Sequence, residues 1–106
     1  MPKYLFEASY SVTGTQGLQK EGGTKRRAAL EQLAKGVGGT LEAFYFAFGD
    51  TDAFIIADLP DAATAAAISL TVGASGAASV KTTVLLTPEE MDAAAKKSID
   101  YRPPGA

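Results

Sequence analysis

Four positive side chains, Lys20, Lys25, Arg26 and Arg27, crowd around the pair Gly22-Gly23. Guanidinium and ammonium groups gathered this closely can hold a carboxylate or a phosphate, and glycines let backbone amides approach it. The plainer reading is a solvated helix face, partly neutralised by Glu21 and Glu31. No strand precedes the glycines at the spacing of a phosphate-binding loop, so that motif does not apply.

Three carboxylates, Glu7, Glu42 and Asp58, stand among apolar residues in segments that read as strands, with Lys81 and Thr83 in a further one. A carboxylate in apolar surroundings holds its proton more tightly and can serve as a general base. An ion pair is the simpler role, and Glu42 of one subunit can meet Lys81 of another where sheet edges pair. Asp50 and Asp52 offer oxygens to a hard cation, but two carboxylates are too few for a dedicated site, and turn chemistry accounts for them. Tyr10 and Tyr45 either present hydroxyls to a pocket between sheet and helices or belong to the core with those hydroxyls satisfied. The candidate ligand-binding set is therefore Tyr10, Lys20, Arg26, Tyr45, Asp52 and Lys81. No residue is assigned a catalytic or metal-binding role.

Composition narrows the chemistry further. The chain has no histidine and no cysteine, which removes disulfides, thiolate nucleophiles, Cys/His zinc sites, imidazole acid/base catalysis and histidine ligation of haem. No cofactor is expected. A net charge of -2 gives no reason to expect nucleic acid or an anionic membrane as partner. Absence of cysteine is compatible with the cytoplasm. The opening Met1-Pro2-Lys3-Tyr4-Leu5-Phe6-Glu7 does not read as a signal peptide, because Glu7 interrupts any apolar region. Ala62 to Val80 carries no charge, but Ala, Ser, Thr and Gly drive membrane insertion weakly, so a tightly packed helix is expected there.

These side chains need positioning, and the hydropathy pattern says by what. A length of 106 residues suits one domain, 1–106, and 46% hydrophobic residues allow a core. Tyr4, Phe6, Ala8 and Tyr10 alternate with Leu5, Glu7 and Ser9, which predicts a strand. Ser11 to Gly14 reads as a turn. From Thr15 a helical stripe runs through Leu18, Gly22, Arg26, Ala29, Leu30, Leu33 and Val37. Gly22-Gly23 weakens that stripe, so the helix kinks there or something packs very close. Thr40 to Phe48 alternates again, with Leu41, Ala43, Tyr45 and Ala47 opposite Glu42, Phe44, Phe46 and Phe48. Asp52 to Leu59 completes a hairpin.

Asp61 caps a helix over about Ala62 to Ala74, and Ala78 to Leu86 is the fourth strand. Thr87-Pro88-Glu89-Glu90 is a capping box with proline at the first helical position. Beyond Lys96-Lys97 the tail, 98–106, is expected to be extended. Strand-helix-strand twice over predicts an α+β, ferredoxin-like βαββαβ fold: a four-stranded antiparallel sheet with two helices on one face and a short C-terminal helix. The opposite face is too apolar for water, so a second copy is the simplest cover.

Several segments resemble the GYD-domain family: Tyr4-Leu5-Phe6-Glu7-Ala8-Ser9-Tyr10, Lys20-Glu21-Gly22-Gly23, Lys25-Arg26-Arg27, Leu41 through Gly49, and Lys81 through Glu90. Where that family tends to show Gly, Tyr and Asp around the hairpin, this chain has Gly49-Asp50-Thr51-Asp52, with Thr51 in the tyrosine's place. The resemblance implies a fold of the dimeric α+β barrel group. That group includes cofactor-free monooxygenases and isomerases, haem enzymes and small-ligand sensors, and fold alone does not choose among them. The expectation is a homo-oligomer, dimer or higher, that binds a small anionic or aromatic molecule. The alternatives are a cofactor-free enzyme using the strand carboxylates, and a structural self-assembly or adaptor module.

Overall fold

In the computed structural model, which describes residues 1–106, the opening alternation forms β1 (Lys3–Tyr10). It is followed by α1 (Val12–Glu21), α2 (Gly23–Gly36), β2 (Thr40–Phe46), β3 (Ala53–Asp58), α3 (Ala62–Ala74), β4 (Ala78–Leu85) and α4 (Pro88–Ala95). The four strands make one antiparallel sheet in the order β2-β3-β1-β4. This is the ferredoxin-like arrangement, with α2 and α3 on one face. No helix is long and apolar enough to cross a membrane.

Register assigns every strand residue to a face, because partners directly opposite in an antiparallel ladder point the same way. Phe6 lies between Ile55 and Thr82, and Ala8 between Ala53 and Val80. Tyr4, Phe6, Ala8, Ala53, Ile55 and Ala57 are buried and face the helices. The opposite, open face carries Leu5, Glu7, Phe54, Ile56, Lys81 and Thr83. Ten of 106 residues are buried, a thin core for this length.

Two local expectations change. The single stripe from Thr15 divides into α1 and α2, and α1 starts earlier than expected, inside the presumed turn. Ser11 caps it, with Oγ accepting from the Gly14 N–H at 3.1 Å. The division falls at Gly22, whose φ of 87° and ψ of 165° lie in a region almost closed to other residues. Gly23 meets the second condition too: a Cβ there would sit 2.9 Å from the Phe46 ring. The chain both kinks and packs closely.

Strict alternation also fails in β2. A bulge between Leu41 and Ala43 leaves Glu42 without a partner on β3. Leu41 thereby joins Phe44 and Phe46 on the helix side, while Ala43 and Tyr45 take the open side. Phe44 and Phe46 stack tilted, with centroids 4.8 Å apart. The released Glu42 accepts from Lys3 Nζ at 2.7 Å, and the same nitrogen reaches Asp58 Oδ1 at 2.9 Å. Lys3 thus ties three strands together, and these two hydrogen bonds hold its ammonium above the ordinary lysine range.

α3 fits its alanine-rich sequence: Ala65 is buried, and the Ser69 and Thr82 hydroxyls lie 2.6 Å apart across to β4. Asp61 caps it through Thr64, donated to by both the hydroxyl and the backbone N–H at 2.7 and 2.8 Å. The expected box at Thr87 and Glu90 is present in full at the start of α4. Residues 98–106 contain no helix or strand, and Met91, Ile99 and Tyr101 are exposed.

Replacing Gly22 with Ala forces a side chain into that backbone region, so an expected loss of about 1–3 kcal/mol in urea unfolding tests the division of the helices. Acid tests the caps. The Thr64 hydroxyl, then its amide, hold Asp61 below its ordinary 3.8, and the Thr87 amide and hydroxyl hold Glu90 below 4.5. Both groups bind protons more weakly when folded, so their contribution is complete above those ordinary values and is lost as pH falls through the lowered folded ones. Stability followed by circular dichroism should decline on the acid side, and less so in Asp61→Asn, which keeps an N-cap without the charge.

Candidate functional site

Beneath the helix face of the sheet lies a cavity of about 60 Å³. Its floor comes from β1 and β3 through Phe6, Ala8, Ile55 and Ala57, and β4 adds Ala78 and Val80. Short alanine side chains leave the space, and the larger residues of α2 and α3 do not fill it. Leu30 and Leu33 wall one side, with Ile68 and Val72 opposite. Leu33 and Ile68 also line an outer groove that continues between α2 and α3 past Val37 and Thr64.

Every lining residue is apolar or aromatic except Arg26. It stands in the first turn of α2, one helical repeat before Leu30 and two before Leu33, so all three share a face. Its Nε is buried and has no hydrogen-bond partner. Burying a guanidinium N–H unpaired is costly. No carboxylate lines the cavity to compensate. The nearest acid in sequence on α2, Glu31, is 3.7 Å from Arg27 instead. The Gly22 break allows this placement, because it ends α1 and starts α2 in a new direction just before Arg26.

The six candidate residues separate into four places. Tyr10 and Arg26 line the cavity. Asp52 supports its end: Oδ2 accepts from the Tyr10 backbone N–H at 2.8 Å, while its own N–H donates to Ala8 O at 2.9 Å. Asp52 thereby fastens the β2–β3 hairpin to the last residues of β1, and Ser9 Oγ adds a bond to Asp50 O at 3.0 Å. Tyr45 and Lys81 stand on the open face, in one cross-strand row with Phe54 and Glu7 between them. Lys20, in the last turn of α1, is exposed.

The strand carboxylates are on the open side as well. Glu42 and Asp58 are engaged by Lys3, and Glu7 lies opposite Phe54 and Lys81. No three groups among Asp and Glu are arranged to hold a metal ion. Residues that pattern-reading left out of the candidate set include Phe6, Leu30, Leu33, Ile68 and Val72. Their signal was hydropathy at helix and strand periods, the same as that of any core residue.

The hairpin support is testable on its own. Asp52→Ala leaves the half-buried Tyr10 N–H without its acceptor and should cost about 1–3 kcal/mol in urea unfolding, whereas Asp50→Ala should cost little.

The family model of the GYD domain matches this chain over residues 4–95. Among curated proteins and solved structures, none matches it significantly.

Proposed function

The chain belongs to the GYD-domain family, and on that premise we propose that it is a soluble, cytoplasmic homo-oligomer that binds a small molecule between sheet and helices. The observation that carries the binding half is the apolar cavity whose single charged lining residue, Arg26, keeps a buried N–H unpaired. Concave, mostly apolar space with one fixed polar group is the usual form of a small-ligand site. Such a void gains contacts when an apolar group fills it, and the guanidinium gains a partner when that group carries an acceptor.

Self-association has separate support on the open face. Tyr45 is 71% exposed and Phe54 37% exposed, with Leu5 and Ile56 beside them in register. A contiguous apolar patch on a thin-cored domain favours a protein partner over water. A second copy meets it with the same composition, as two-fold pairing requires. The alternative of an enzyme using strand carboxylates draws less support, since Glu42 and Asp58 already serve Lys3 and all three acids face away from the cavity.

The double variant Tyr45→Lys with Phe54→Lys should shift the assembly to single chains in native mass spectrometry while leaving the circular dichroism spectrum intact. The lysine replacing Phe54 would lie opposite Glu7 within the sheet, so the isolated chain tolerates it. An unchanged mass in the variant, or a wild-type protein that is already monomeric, counts against the oligomer. For the cavity, 1H–15N spectra should show shifts at Ala57 and Ala78 on addition of a fitting small molecule, and none at Lys81 on the other face.

A further inference from the structure

We infer that the molecule held in this cavity is a short-chain aliphatic monocarboxylate, its carboxylate on Arg26 and its chain directed along Leu30 towards Leu33. This deepens the proposed small-molecule role and rests on it. Charge sets the head group. The cavity holds one cationic residue and no acid, and Arg26 makes no ion pair within the chain. A guanidinium presents several N–H donors in a planar fork that a carboxylate matches two at a time, and the unpaired Nε is one of those donors. A neutral amide or alcohol would satisfy the hydrogen bond at Nε without pairing the positive charge of the half-buried side chain. A dianion would bring a second charge into a lining otherwise wholly apolar.

Shape sets the tail. Arg26 and Leu33 are seven residues apart on one helix face, so the apolar wall extends about 10 Å from the charge. The space itself, about 60 Å³, is less than half of the ~150 Å³ in which a benzene ring is known to sit. The apolar part that this space takes up is therefore short. The groove shared by Leu33 and Ile68 gives the aliphatic chain a way in between α2 and α3.

The test compares butyrate with butyramide, its neutral isostere, titrated into the full-length protein at pH 7 and followed by the amide signals of Ala57 and Ala78. Butyrate should bind at least about tenfold more tightly than butyramide, the discrimination expected of one charged hydrogen-bonded pair. Arg26→Gln should abolish that difference, Arg26→Lys should retain part of it, and Lys25→Gln, an exposed neighbour, should leave it unchanged. If Arg26→Gln fails to fold, the wild-type ratio and the Arg26→Lys variant decide. Equal binding of the two probes, at Ala57 and Ala78, overturns the carboxylate and leaves the cavity as a small-molecule site. Absence of any shift with either probe overturns both.

Discussion

Two antiparallel ladders hold β1 at the centre of the sheet, and by doing so send Tyr4, Phe6, Ala8 and Tyr10 to one side and Lys3, Leu5, Glu7 and Ser9 to the other. The period of two makes this division absolute: a slip of one residue would exchange the faces. The cavity, the helices that roof it and Arg26 all belong to the first side. The apolar row of Tyr45 and Phe54, and the three carboxylates, belong to the second. The proposed binding and self-association surfaces thereby fall on opposite faces of one sheet, so one can be altered without touching the residues of the other.

The bulge at Glu42 is the device that makes the division hold at the edge. Without it, Leu41 would point to the open face and the cavity would lose its β2 wall. The extra residue does not go unpartnered, because its carboxylate reaches Lys3, which Asp58 also binds. A charge cluster at the sheet's end thus compensates a backbone irregularity that packing requires. The same economy is seen at Gly22, where a break in the helix sets the direction of α2 and with it the reach of Arg26.

What was legible in the residues was whatever local chemistry decides. The alternation of β1, the extent of α3 and the capping box of α4 depend on neighbours within a few positions, and each was readable. The place of Arg26 on the apolar face was readable too, from its membership of a stripe that includes Leu30 and Leu33. The phase of β2 was not, because the bulge answers to Lys3, thirty-nine residues away. Nor was the separation of Tyr45 and Lys81 from Tyr10, which only the register of the assembled sheet decides. Asp52 looked like a turn residue and sits at a turn, but its carboxylate also bonds the Tyr10 amide at the far end of β1. No spacing rule encodes that contact.

The exposed C-terminal segment has a consequence for anyone measuring this protein by size. With α4 and the residues after it standing clear of the sheet, the molecule measures 56 × 33 × 23 Å and has a radius of gyration of 16.8 Å. A compact chain of this length would have about 13 Å. Such an elongated particle experiences more friction than a sphere of equal mass, so it elutes early from a sizing column and diffuses slowly. A single chain would therefore imitate a small assembly in any method calibrated with globular standards. Only techniques that weigh the particle, such as light scattering or mass spectrometry, can separate its shape from its stoichiometry.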